Sequence, residues 1–246
     1  MKAEPAAQRR LLDLQGIDTA LAQLAHRRRT LPEHASLETL ARELSALEDE
    51  RVRAQVAVDD IDRDIARLEK DIDQVRTRKD RDQARLTMGS GPARELEALQ
   101  HEMVSLTRRQ TELEDAELEL MEQRETAQAT LDEVVGRLSA LRATRAETEA
   151  RRDDLLASID AEAQARAAER GPVASEIPGD LLALYDKIRE ASGGLGAALL
   201  KAGRCGGCRI ELSGADRARI KAAPPDEVVR CEECRRIMVR TAESGL

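Results

Sequence analysis

With no Phe, no Trp and Tyr185 as the single tyrosine among 246 residues, the chain lacks the side chains that usually fill a broad globular core, each of which buries about 150–250 Å². Charged residues make up 36% of it and the net charge is −8, so a disordered polyampholyte is the alternative that periodicity has to exclude. Abundant Ala, Leu, Glu, Arg and Gln match long helices and coiled coils, and no apolar run approaches the ~20 residues of a membrane span.

The opening stretch Met1-Lys2-Ala3-Glu4-Pro5 has no apolar signal region, which points to a cytoplasmic protein with no membrane partner. From Leu14 through Ile17, Leu21, Leu24 and Leu31 apolar residues fall on one helical face, interrupted by Arg28. Around Thr30-Leu31-Pro32-Glu33 the phase slips. Thr30 with Glu33 reads as a capping box and Pro32 suits a first turn, so a new helix or a kink is expected there.

A long helix then keeps steps of three and four from Leu37 through Leu44, Leu47, Val58, Ile65 and Ile72 to Leu86, with Arg51, Lys79 and Asp82 as its charged members. Met88-Gly89-Ser90-Gly91-Pro92 breaks the pattern. The same spacing returns from Leu96 through Met103, Leu113, Leu131, Val134 and Leu138 to Ile159. Two matched seams around a Gly-Ser-Gly-Pro turn predict an antiparallel, left-handed coiled-coil hairpin over residues 1–172, with arms of about 75 Å at ~1.5 Å per residue. Gln110, Glu117 and Arg124 occupy one heptad position in succession; they either fix register or snorkel to the edge of the seam.

The return helix is expected to end near Gly171-Pro172. A linker with a short helix through Leu181, Leu184, Tyr185 and Ile188 follows over 173–194, closed by Ser192-Gly193-Gly194. Short strands are expected at Leu199-Leu200, Ile210-Glu211-Leu212, Val228-Val229 and Ile237-Met238-Val239. Ser213 with Asp216 would cap a small helix between them.

This last segment, 195–246, carries the specific chemistry. Cys205-Gly206-Gly207-Cys208 and Cys231-Glu232-Glu233-Cys234 are two C-x-x-C pairs separated by 22 residues. Four soft thiolates in a reducing compartment suit one structural Zn²⁺ at ~2.3 Å per bond; redox dithiols and an iron–sulfur cluster are the alternatives. Four cysteines close the coordination shell, which argues against a catalytic metal, and no nucleophile, acid–base pair or phosphate loop points to an enzyme or to a small-molecule substrate. From Leu195 onward 10 Lys/Arg face 7 Asp/Glu, a balance of +3 that leaves −11 for residues 1–194. Arg204, Arg209, Arg235 and Arg236 flank the ligands. They either contact phosphates or a partner, or soften the charge of the thiolate centre, and the lack of aromatics for base stacking weakens the nucleic-acid alternative. His26, His34 and His101 read as helix-surface or junction residues.

The cysteine pairs, the Val228-Val229-Arg230 run before the second of them, the preceding Leu184-Tyr185-Asp186-Lys187-Ile188-Arg189, and Arg94-Glu95-Leu96-Glu97-Ala98-Leu99-Gln100-His101-Glu102 after the turn together resemble the bacterial C4-type zinc-ribbon family with an N-terminal coiled-coil hairpin. Its actinobacterial branch looks closest. The resemblance implies zinc at Cys205, Cys208, Cys231 and Cys234, a non-enzymatic role as adaptor or regulator, and a partner-binding hairpin tip, with Arg94, Glu95, Gln100 and His101 as candidate contacts. Relatives in flagellated bacteria are associated with sigma-54-dependent regulation, protein partners and RNA, but nothing in these residues specifies a flagellar role. That family commonly has Gly-Arg after the last cysteine. Arg235-Arg236 stands there in this chain, so Arg235 is expected either to strain a turn that Gly would ease or to require a slightly different one.

Overall fold

The computed structural model describes residues 1–89 and 91–246. Its helices are α1 (Pro5–Arg29), α2 (Pro32–Met88), α3 (Ala93–Ser175), α4 (Gly179–Ala191) and α5 (Gly214–Ala222); its strands are β1 (Ala197–Lys201), β2 (Arg204–Cys205), β3 (Val229–Arg230) and β4 (Ile237–Val239). They form two compact units: a hairpin unit, Ala35–Glu149, and a base unit, Met1–His34 with Ala150–Leu246.

In the hairpin unit the expected seam is the buried seam. Leu44, Leu47, Val58, Ile72, Leu113, Leu131, Val134 and Leu138 are all less than a tenth exposed, and most residues between seam positions face solvent. Arg145 is the exception, an exposed side chain that pairs with Glu149 at 2.9 Å. Three of the polar seam residues are partnered across the hairpin: Lys79 Nζ donates to Gln110 Oε1 at 3.1 Å and Arg124 Nε to Asp62 Oδ1 at 2.8 Å. Ser90, in the middle of the expected turn, lies outside the described residues. Gly89 beside it has φ 61°, a conformation that favours glycine.

Helix boundaries differ from expectation in two places. Thr30 caps the end of α1 and does not start α2, because its Oγ1 donates to the His26 carbonyl at 3.0 Å. α3 runs past Gly171-Pro172 to Ser175; so close to the helix end Pro172 costs one amide donor, and its own carbonyl accepts from Ser175 Oγ at 2.7 Å. The buried face of α1 is also shifted. It runs through Ala7, Gln8, Leu11, Leu14, Gln15, Asp18 and Leu24, while Ile17 and Leu21 are only half-buried.

The base unit is organised by a four-stranded sheet in the order β2-β1-β4-β3, in which β1 and β4 are parallel and the outer pairs antiparallel. Both faces are covered, so side chains alternate between two cores. Ala197, Ile237 and Val239 pack with Leu11, Leu14, Leu181, Tyr185 and Ile188 of α1 and α4. Leu200, Val229 and Met238 point the other way, onto Cys205, Cys231 and Ile220. Segment 173–194 is therefore not a linker. Its helix α4 buries Leu181 and Tyr185 completely, because the apolar stripe that would be left open on a linker is what closes the core over the sheet. Ile210-Glu211-Leu212 forms a single bridge, Glu211 to Arg204, and no strand, since the chain turns at once into the capped α5.

Ahead of α1, Lys2 bridges Glu227, and the Ala3 amide donates to the Asp226 carbonyl at 2.7 Å. Gln8 Nε2 ties the same strip down by donating to the carbonyls of Ala3 and Pro225.

Candidate metal centre

Each C-x-x-C pair sits on a tight knuckle, and the two knuckles repeat the same bonds. In the first, the Arg209 amide donates to the Cys205 carbonyl at 2.7 Å and the Cys205 amide to Ile210 O at 3.1 Å. In the second, Arg235 N donates to Cys231 O at 2.9 Å and Cys231 N to Arg236 O at 3.0 Å. Closing such a turn drives the residue after the second cysteine into the left-handed region: Arg209 has φ 64° and Arg235 φ 62°. The strain expected at Arg235 is present, and the first knuckle repeats it at Arg209. Equal placement after a C-x-x-C pair was the signal for both.

Gly206 and Gly207 are required by close approach. A Cβ on Gly206 would lie 2.7 Å from the Leu199 carbonyl oxygen, and one on Gly207 2.7 Å from Arg236 Cδ.

The knuckles bring the four sulfur atoms within 4.8 Å of one another, with Cys205–Cys234 and Cys208–Cys231 separations of 3.8 Å. A tetrahedron of ~2.3 Å Zn–S bonds has edges of about 3.8 Å, which two of the separations match, so the donor set fits one Zn²⁺. The metal-free thiols differ in proton affinity. Burial pushes Cys231 up to about 12 and raises Cys205 as well. For Cys234 burial acts in the same direction, but donors from Arg236 and the neighbouring thiols outweigh it and bring it down to about 7. A metal that takes all four as thiolates must displace protons, chiefly from the buried pair.

The flanking arginines do not act as a set. Arg236 is spent inside the fold, its Nε donating to Leu195 O at 2.9 Å and its Nη2 to Ser192 O at 2.8 Å. Arg204 pairs with Glu211 at 3.3 Å, and Arg235 approaches Glu232 at 3.7 Å. Arg209 is exposed. Arg94, Glu95, Gln100 and His101 all face solvent in the first turns of α3.

Sequence reasoning missed the buried polar residues that hold the base together. Asp18, only 5% exposed, accepts from Arg170 Nε at 2.8 Å and from the Tyr185 hydroxyl at 2.8 Å, with Arg189 Nε at 3.4 Å. One carboxylate thus joins α1, α3 and α4. Gln15 Oε1 accepts from the amides of Gly196 and Ala197 at 2.7 and 3.3 Å and Gln15 Nε2 donates to Gly194 O, fixing the chain where it enters β1. Gln8, Gln15 and Asp18 fall at helical spacing on the face that also carries Leu11 and Leu14; polar residues recurring on an apolar stripe were the available signal.

Fold and site together define a coiled-coil hairpin protein with a C4 zinc ribbon carrying one structural zinc. The sequence matches the CT398-like coiled coil hairpin domain over residues 14–193 and the C4-type zinc ribbon domain over 204–238, and the chain belongs to the CT398-like hairpin family. An uncharacterized protein of Mycobacterium tuberculosis strain H37Rv is 42% identical over 240 residues, covering 98% of both chains. A solved structure from Mycobacterium smegmatis is 39% identical, with a TM-score of 0.87 over 98% of this chain and 100% of that one. CT398 from Chlamydia trachomatis, at 17% identity and a TM-score of 0.65 over 95% and 97% of the two chains, shares the fold. Among the described residues no helix is long and apolar enough to cross a membrane.

Proposed function

We propose that this protein is a non-enzymatic cytoplasmic adaptor or regulator: a helical hairpin with a partner-binding tip, joined to a zinc ribbon that docks onto a protein. The observation that carries this reading is the closed four-thiolate site, which leaves a bound zinc no position for water or substrate and assigns it to shaping the ribbon surface. A shallow cleft beside the second knuckle adds support. Leu184, Ile188 and Ala191 line it together with Lys187, Arg230 and Arg235, a composition suited to an acidic segment of a protein. The alternative, a nucleic-acid regulator working through the ribbon arginines, has less behind it, because Arg236 and Arg204 already have partners within the chain.

The test is affinity capture from native lysate at physiological salt, with and without nuclease. It compares zinc-loaded protein with a Cys231→Ser/Cys234→Ser variant and with a protein lacking residues 84–102, re-closed in register. Protein partners that survive nuclease and are lost separately with the two variants support the adaptor. Retention of every partner by both variants would rule it out, and material removed only by nuclease would favour the nucleic-acid alternative.

A further inference from the structure

The hairpin unit has two long faces of unequal chemistry. Residues that immediately follow a seam position lie on one face, and residues that immediately precede one lie on the other, because in an antiparallel pair the two following rows come to the same side. Ion pairs across the hairpin confirm the assignment. Arg76–Glu114, at 2.8 Å, and Arg142–Glu48 join following residues to one another, whereas Arg137–Glu50, at 3.3 Å, and Arg78–Glu102 join preceding ones.

Most of the large apolar side chains left in solvent on the hairpin lie on one of these faces. Val52 (50% exposed), Val104 (72%), Leu118 (60%), Met121 (47%) and Val135 (46%) directly follow a seam position, whereas Val56 and Met88 lie off both faces. Over residues 46–78 and 102–142 the opposite face has no apolar residue larger than Ala. Isolated exposed apolar residues need no explanation, but their alignment along one face does. Charge is divided unevenly as well. Within the same residues the apolar-bearing face has eight acidic side chains and two arginines, against eight acids and five arginines on the other; Glu114, Glu48 and Asp62 of the apolar-bearing face pair across the hairpin with Arg76, Arg142 and the seam residue Arg124. Asp59, Asp62, Glu69, Asp73, Glu125 and Asp132 lie around and between two apolar spots, Leu118 with Met121 and Val52 with Val135.

We infer that this face is a docking surface for a basic amphipathic α-helix of a protein partner, laid along the hairpin as a third strand of the coil. Charge complementarity selects the occupant: two copies of the face would set acid against acid, and an acidic segment or nucleic acid would be repelled, whereas lysines or arginines flanking an apolar stripe match both features. Leu118 and Val135 are 17 residues apart, about 25 Å at ~1.5 Å per residue, so the partner helix needs apolar anchors some five turns apart with basic residues between them. This inference goes beyond the adaptor reading, since it uses neither the tip nor the ribbon.

The experiment is a fluorescence-anisotropy titration of the full-length, zinc-loaded protein. The probe is a labelled lysine-rich helical peptide with leucines at its fourth, seventh and twenty-second positions; its control has the same composition with the leucines spread round the helix. The protein is compared with a Leu118→Glu/Met121→Glu variant, whose unchanged far-UV circular dichroism verifies the hairpin. Added negative charge would tighten a purely electrostatic association, so the two explanations predict opposite signs. The expected result is a loss of affinity of tenfold or more in the variant and a similar loss with the control peptide. Equal or tighter binding by the variant, or equal binding of the two peptides, overturns the proposal. So does sedimentation showing a dimer that the same variant dissociates, which would give the face to a second copy.

Discussion

Tyr185 is the only aromatic residue of the chain, which makes its ionisation a direct optical reading of the base unit. Its ring is fully buried between α1, α4 and the sheet, and its hydroxyl donates to Asp18. Burial, and next the hydrogen bond to Asp18, raise its pKa far above the ordinary value of 10.0, so the folded state keeps the phenol protonated where the unfolded chain would ionise. The sign follows from proton counting: above pH ~10 the unfolded state binds fewer protons than the native one. Stability contributed by the protonated phenol is therefore complete below that pH and falls as pH rises, by up to about 1.4 kcal/mol per pH unit. In an alkaline titration read at 295 nm, tyrosinate absorbance is expected to appear late and together with loss of base-unit structure followed by circular dichroism. Ionisation near pH 10 with unchanged circular dichroism would refute the buried hydrogen bond to Asp18. An Asp18→Asn variant should lower urea resistance by about 2–4 kcal/mol, because Arg170 and Arg189 lose a buried partner while staying 30% and 36% exposed to water.

Gly196→Ala should cost about 2–3 kcal/mol, since the new Cβ would stand 2.7 Å from the Tyr185 carbonyl oxygen and 2.8 Å from its ring; chemical denaturation compared with Gly214→Ala, where nothing lies within 4 Å, gives the contrast. Arg235→Gly relieves a left-handed residue worth about 1–2 kcal/mol at an entropic cost of about 0.5–1 kcal/mol, so competition with a chromophoric chelator should show zinc affinity unchanged or up to about tenfold tighter. Arg235→Val, β-branched at the same φ, should weaken zinc binding in the same assay, and equal affinities for the two variants would contradict the strained turn. Removing zinc with a strong chelator should leave the far-UV helical signal of the hairpin largely intact while the ribbon resonances in a proton–nitrogen NMR spectrum collapse; a spectrum that keeps its dispersion would mean that packing alone holds the ribbon.

The seam and the metal ligands were legible in the sequence because both are local patterns. Steps of three and four from Leu37 to Leu86 specify which residues are buried whatever the partner is, and two C-x-x-C pairs name their chemistry by residue type and spacing. Asp18, Gln15 and Arg170 were not legible, because these partners lie 152–182 residues away along the chain and no repeat links them. The same holds for α4. Its Leu181-Tyr185-Ile188 stripe was readable as a helix face, but that this face closes the core over β1 and β4 depends on a sheet assembled from distant strands. Arg204 and Arg236 looked alike beside the cysteines. Only the course of the backbone at Ser192 and Leu195 separates a structural arginine from an exposed one.

The span of the contacts made by α1 has a consequence for how the molecule is made. Gln8 meets a carbonyl 217 residues downstream, Gln15 meets β1 182 residues downstream, and Tyr185 is 167 residues from Asp18. α1 is therefore made long before many of its partners, and although it can pack on α3 first, its full set of contacts waits until the ribbon has emerged. Hairpin formation shortens that wait, because pairing Ala35–Glu149 along its seam brings the two ends of a 115-residue insert together and turns a distant search into a nearby one. Pulse-labelled hydrogen exchange during refolding should accordingly protect the amides around Val58 and Val134 before those of Leu11 and Leu14.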